Sequence, residues 1–167
     1  MRLRRLAPDD WRAYREIRLR ALATDPDAFG ATLAAALARP ESTWWERLAL
    51  IDHVTVVAQD DAGRPIGMAT GGPADRPGIA GLYGMWVEPA ARGRGVGMAL
   101  VEWVTAWASE AGYPAIGLGV TTTNEAAKRL YERAGFVATG ERHPLRDDTD
   151  LEMELMVLRL DRADGNS

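Results

Sequence analysis

Val87-Glu88-Pro89-Ala90-Ala91-Arg92-Gly93-Arg94-Gly95-Val96-Gly97 joins a strand pattern to a helix pattern, and the rest of the chain is organised around it. Upstream, Leu82-Tyr83-Gly84-Met85-Trp86-Val87 is aromatic and aliphatic, as a buried strand should be. Pro89 ends that strand, because it lacks a ladder N–H and fixes its own φ. Downstream, Leu100, Trp103, Val104 and Trp107 recur at helical spacing, with Glu102, Thr105 and Ser109 opposite. A strand therefore runs through a glycine-rich turn into a helix N-terminus. Unpaired N–H groups and the positive end of the helix dipole meet there, a combination that suits a phosphate. Gly93, Gly95 and Gly97 leave the main chain bare for an anion, and Arg92 and Arg94 add charge.

The kind of phosphate ligand can be narrowed. A dinucleotide fingerprint calls for a further glycine where Met98 stands and for a βαβ unit. A Walker loop calls for Gly-Lys-Ser/Thr, and the only lysine is Lys128, far downstream. What fits is Arg/Gln-x-x-Gly-x-Gly/Ala, met by Arg92, Gly95 and Gly97 after Val87-x-Pro89. A second stretch, Asn124-Glu125-Ala126-Ala127-Lys128-Arg129-Leu130-Tyr131-Glu132-Arg133-Ala134-Gly135-Phe136, reads as a short amphipathic helix. Ala127, Leu130, Tyr131 and Ala134 share one face. Asn124, or a Thr122/Glu125 capping box, opens it, and Gly135 closes it as a left-handed residue. The first pattern resembles the acetyl-coenzyme A pyrophosphate loop of the GNAT superfamily of N-acetyltransferases. The second is similar to that superfamily's Asn-x-x-Ala-x-x-Leu-Tyr-x-x-x-Gly-Phe signature at every specified position. The resemblance covers residues 53–160 closely and the N-terminal third more loosely.

Composition removes several other classes. The 167 residues suffice for one domain with its own core, so a single domain spanning 1–167 is expected. With 47% hydrophobic and 26% charged residues, it reads as a globular chain. A net charge of -4 gives no footprint for nucleic acid. There is no cysteine, which excludes disulfides, thiolate nucleophiles and thiolate-bound metals. His53 and His143 are the only imidazoles, so no metal site is expected. Ser42, Ser109 and Ser167 are the only serines, and none lies in a Gly-x-Ser-x-Gly elbow. The first residues, Met1 to Pro8, carry charge with no apolar stretch behind it, as a signal peptide would need, and no run is long enough to span a bilayer, so no membrane partner and a cytoplasmic location are expected.

Along the chain, Arg2 to Leu6 reads as an edge strand. Pro8-Asp9-Asp10 introduces a helix bearing Trp11, Tyr14, Ile17, Leu19 and Leu22. Its Arg12, Arg15, Arg18 and Arg20 read as a solvated surface, with attraction of an anionic acceptor as the alternative. After a break at 24–30, residues 31–38 and the segment around Trp44-Trp45 are helical. Phe29, Trp44 and Trp45 either pack on the sheet or line an acceptor pocket. His53–Gln59, residues 65–70 and Ile79–Val87 are strands, with a hairpin turn at 60–64 and a loop at 71–78. Residues 115–120 form a strand parallel to the one ending at Val87. Residues 136–140 begin another strand, 141–150 form a polar loop, 151–160 make the last strand, and 161–167 form a tail.

The resulting fold class is α/β: a mixed, mostly antiparallel central sheet flanked by helices, as in the GNAT fold. The resemblance implies that the two parallel strands splay apart and admit the cofactor. Gly84, Gly117 and Gly119 agree with such a splay or with tight packing. By the same resemblance, the main chain at Met85, Trp86 and Val87 would pair with the pantetheine arm. The N–H groups of Arg92, Gly93, Arg94, Gly95, Val96 and Gly97 would hold the pyrophosphate. Asn124 and Ala127 would flank the arm, and Tyr131 would face the sulfur as the catalytic acid. The implied reaction is acetyl transfer from acetyl-CoA to a small-molecule or protein amine by direct attack in a ternary complex. Glu88, His143, Glu152 and Glu154 are the candidate bases, each with a surface role as its alternative. A non-catalytic acyl-CoA sensor and a nucleotide-binding reductase are the rival readings. The six tryptophans supply surface for a homodimer, common in this superfamily, or core.

Overall fold

The computed structural model describes residues 1–160; the expected tail at 161–167 lies outside the described residues. Among the described residues, seven strands form one sheet: β1 (Arg2–Arg5), β2 (Val54–Gln59), β3 (Pro65–Pro73), β4 (Ala80–Val87), β5 (Ala115–Thr121), β6 (Val137–Pro144) and β7 (Glu152–Arg159). Five α-helices among the same residues accompany it: α1 (Trp11–Thr24), α2 (Leu33–Leu37), α3 (Glu41–Ala49), α4 (Val96–Glu110) and α5 (Glu125–Arg133). The strand order is β1-β2-β3-β4-β5-β7-β6, and only the β4–β5 pair is parallel. The mixed, mostly antiparallel sheet expected from the sequence is therefore the one found.

Two apolar clusters lie on opposite faces of this sheet. Alternation along β2 and along β4, shifted by one residue at 84–85, sends Val56, Leu82 and Val87 toward α4, where Leu100, Val101 and Val104 meet them. The same alternation sends Val57, Met68 and Trp86 to the other face, against Tyr14, Ile17, Leu22, Phe29 and Trp44. Trp44 is fully buried and meets Tyr14 edge-on, 5.6 Å between ring centres, whereas Trp45 is exposed. Phe29 and Trp44 are thus core residues. Among the described residues, no helix is long and apolar enough to cross a membrane.

Three local expectations change. β3 continues through Gly71 and Gly72 to Pro73, where a loop was expected. These glycines serve close packing: a Cβ at Gly71 would sit 2.8 Å from the Trp107 ring, and one at Gly72 2.5 Å from His53. Residues 141–144 belong to β6 and not to a polar loop. Gly140, at φ +86°, lies in an irregularity between Ala138 and Arg142, beyond which pairing with β7 resumes. As an edge strand β6 is exposed throughout, so its composition carried no burial signal. Finally, the arginines of α1 are not all solvated. Arg20 lies 5.7 Å over the Trp86 ring and Arg18 4.8 Å over Phe29.

Candidate active site

β4 and β5 pair only at Ala80–Ile116 and Gly81–Gly117. Beyond these positions β4 stays bonded to β3 and β5 to β7, but the two strands have parted from each other. The departure coincides with a bulge. Met68 faces Trp86 and Thr70 faces Tyr83, so Ala69 alone opposes both Gly84 and Met85. Gly84 takes φ +57°, a left-handed value that its lack of a Cβ permits. The gap opens a cavity of about 720 Å³. Met85, Trp86 and Val87 line one wall, Gly119 to Thr121 the other, and residues of the glycine turn and α5 close it.

The glycine turn presents main-chain donors to this cavity. Ala99 N–H bonds to the Gly95 carbonyl, but among the described residues no N–H from Gly93 to Met98 has a protein acceptor. Gly93 and Gly95 have φ +76° and +80°, and a Cβ at either would meet open space. Both are therefore needed for backbone conformation. Gly97 is needed for packing instead. A Cβ there would approach Leu130 at 3.0 Å and Met85 at 3.1 Å, so its absence lets α4 seat against α5 and β4. Arg94 is exposed and outside the cavity lining.

The side chain of Arg92 has a partner that its position in the motif did not reveal. Its Nε donates to the Val87 carbonyl at 2.9 Å, and its Nη2 donates to Asp25 Oδ2 at 2.6 Å. The same Asp25 oxygen accepts the Trp86 indole N–H at 2.7 Å. Asp25 precedes a 3-10 turn, Pro26–Ala28, whose Asp27 carbonyl accepts a hydrogen bond from the Thr121 hydroxyl at 2.6 Å. This turn thus joins β4 on one side of the gap to β5 on the other. Arg146, in the loop after β6, donates to the carbonyls of Pro26 and Phe29 and holds the turn from outside. Asp25, Thr121 and Arg146 are members of the site that sequence reasoning missed. Each lies in a different segment, and no local pattern marks any of them.

On α5 the sequence expectations meet in one place. Asn124 Oδ1 accepts from Ala127 N–H at 3.2 Å, which makes Asn124 the helix cap. Asn124, Ala127 and Tyr131 all line the cavity. Tyr131 packs edge-on against Phe136, 5.9 Å between centres, and its hydroxyl has no hydrogen-bond partner among the described residues. Burial pushes the phenol well above its ordinary value, so it stays protonated and able to donate.

Of the proposed bases, none lines the cavity. Glu88 is held by Arg64 through two hydrogen bonds of 2.7 and 2.8 Å, which lower its pKa below the usual carboxylate range. Glu154 Oε2 lies 3.3 Å from the Lys128 ammonium. Glu152 and His143 are exposed residues at neighbouring ladder positions of β7 and β6.

Two parted parallel strands, with bare donors at their open end and a buried phenol in the gap, form one continuous site on a mixed α/β sheet. Residues 11–136 match the Acetyltransferase (GNAT) family, and the chain belongs to that family. It is 31% identical over 138 residues to the mycothiol acetyltransferase of Propionibacterium freudenreichii subsp. shermanii, covering 81% of this chain and 43% of that protein. The chain spans less than half the length of the mycothiol acetyltransferases it matches in this way. A GNAT-family acetyltransferase from Streptococcus pneumoniae superposes with a TM-score of 0.81 at 21% identity, over 96% of this chain and 99% of that one. The yncA protein of Salmonella typhimurium, solved with its cofactor acetyl-CoA, superposes with a TM-score of 0.78 at 22% identity, over 100% of this chain and 98% of that one. These two likenesses establish the shared fold.

Proposed function

We propose that residues 1–167 form one domain that transfers an acetyl group from acetyl-CoA to a primary amine by direct attack in a ternary complex. The observation that carries this reading is the parting of β4 from β5 after two residue pairs, with unpaired N–H groups at the end of the gap. A thioester substrate supplies an activated acetyl carbonyl. The N–H groups from Gly93 to Met98 would bind its pyrophosphate with the help of the α4 dipole. The free edge of β4 at Met85 to Val87 would pair with its amide-bearing arm as an added strand does. Asn124 keeps its side-chain amide N–H₂ free while its oxygen caps α5, so it can donate to the same arm. Tyr131, neutral and unpartnered, would give its proton to the departing sulfur.

The amine attacks the acetyl carbon, the carbon–sulfur bond breaks as Tyr131 protonates the sulfur, and the proton lost by the amine passes to water, from which the Tyr131 oxygen regains one. The unpartnered hydroxyl of Tyr131 favours this transferase reading over an acyl-CoA sensor, for which a phenol held ready to donate has no use. Thermal shifts with acetyl-CoA, coenzyme A, NAD and ATP test the binding half: stabilisation by the first two alone is expected. Release of free thiol on adding amines tests the transfer half. Binding without thiol release across a broad amine panel would leave a sensor and refute the transferase.

A further inference from the structure

Arg18 lies on the α1 face of the β4 bulge, and the guanidinium groups of Arg39 and Arg47 act on it as like charges. Arg18 Nη1 lies 3.0 Å from the position a Cβ would take at Gly84, so the missing side chain makes room for a cation. Its guanidinium rests 4.8 Å over the Phe29 ring. One helical turn earlier, Tyr14 meets Trp44, and Arg39 lies 5.5 Å over that same Trp44 ring. Arg47 follows Trp44 by three residues on α3. Several partly buried basic side chains of this protein do find acids: Arg4 with Asp10, Arg20 with Glu16, Lys128 with Glu154, Arg146 with Asp148. Among the described residues Arg18, Arg39 and Arg47 make no ion pair, and Arg39 Nη1 is buried without any hydrogen-bond partner.

Such a group of like charges is costly to maintain unless an anion joins it. Burial holds Arg18 below its usual value; Tyr14 acts against it, and the like charges of Arg47 and Arg39 add to the lowering. The position matters as much as the charge. Gly84 is followed directly by Met85, which lines the cavity where the thioester would lie. An anion on Arg18 would therefore sit beside the strand that borders the cavity, one residue from Met85.

We propose that Arg18, Arg39 and Arg47 form the recognition site for a carboxylate of the acceptor, so that the acceptor is a small primary amine with a carboxylate on a nearby carbon, as in an amino acid. The flat fork of a guanidinium matches the two oxygens of a carboxylate. A polyamine or a lysine side chain, cationic along its length, would be repelled by the same three groups. This assignment rests on the reading of the cavity as the acetyl-CoA site.

The test is thiol release from acetyl-CoA with each common L-amino acid, its carboxamide, and 1,4-diaminobutane. At least one amino acid should turn over, with kcat/KM about 10- to 100-fold above its carboxamide, the range of one or two charge-assisted hydrogen bonds. In Arg18→Gln that ratio should fall toward one while acetyl-CoA affinity stays within about twofold. Arg39→Gln, on a separate segment, should reduce the same ratio and guards against a folding defect in the first variant. Equal or better turnover of carboxamides or the diamine, no turnover of any amino acid, or discrimination that survives in both variants would overturn the proposal. Absence of acetyl-CoA binding in the unaltered protein would instead refute the reading of the cavity itself.

Discussion

Replacing Asp25 by alanine withdraws one oxygen from two donors at once, and the two losses differ in kind. The Trp86 side chain is 4% exposed, so its indole N–H would be left buried without an acceptor. A stranded donor of this sort costs about 1–3 kcal/mol. The Arg92–Asp25 pair is short, but its side chains are 48% and 31% exposed, so screening by water limits it to about 0.2–1 kcal/mol. Asp25→Ala should therefore lose about 1–4 kcal/mol, each kcal/mol lowering the melting temperature by roughly 2–4 °C for a chain of this size. Asp25→Asn keeps an oxygen for the indole and removes only the charge, so it should lose about 1 kcal/mol or less. Urea denaturation of both variants, with slopes compared to detect any change in the unfolded state, measures the difference. If Asn is as damaging as Ala, the charge pair dominates and the account of the buried indole is wrong. If neither loses more than about 0.5 kcal/mol, the tie across the gap does not stabilise the domain at all.

Gly95→Val should abolish measurable acetyl-CoA binding by calorimetry, because a β-branched residue resists φ +80° and the N–H groups of the turn would re-aim; the fold should persist, since the added side chain meets open space. Tyr131→Phe should keep cofactor affinity and lower turnover by about 10²–10⁴-fold, the usual range for a positioned acid; wild-type turnover would reduce Tyr131 to a packing residue. Because folding raises the Tyr131 pKa, the stability this gives is fully present below the unfolded phenol's value of about 10 and is lost as pH rises beyond it, so the same variant should flatten the alkaline decline of stability in denaturation curves. No single substitution among Glu88, His143, Glu152 and Glu154 should lower turnover more than about tenfold, and turnover per cofactor-bound enzyme should rise with pH toward the acceptor's own pKa; a loss of several hundredfold with a profile level near neutrality would reveal a dedicated base.

The parts of the site that could be read from the sequence are those built within one continuous segment. The glycine turn is legible because conformation, donors and dipole all arise within residues 92–98. The α5 face is legible because Asn124, Ala127 and Tyr131 recur at helical spacing, and the cap found is one of the two expected. Even there, function and packing are mixed in a way the pattern hides. Gly93 and Gly95 are turn glycines, whereas Gly97, equally part of the motif, is a packing glycine. β3 and β6 were misjudged for related reasons. Gly71 and Gly72 look like loop residues until the Trp107 and His53 rings that need their bare backbone are in view. The polar composition of 141–144 describes an edge with no buried face.

What was illegible is carried by pairs far apart in the chain. Asp25 reaches Trp86 across 61 residues and Arg92 across 67, and the Asp27 carbonyl reaches Thr121 across 94. Arg18 on α1 was indistinguishable from Arg12 and Arg15 until Gly84 was found to leave room for it. The same division bears on function. The donor side of the gap consists largely of main chain and local motifs. The proposed acceptor contacts are side chains from α1, from the segment between α2 and α3, and from α3, so small changes there would be expected to redirect substrate choice without disturbing the fold. An acid introduced beside Arg18 would illustrate the point: it would neutralise the cluster, leave the glycine turn untouched, and be expected to alter which amine reacts while acetyl-CoA binds as before.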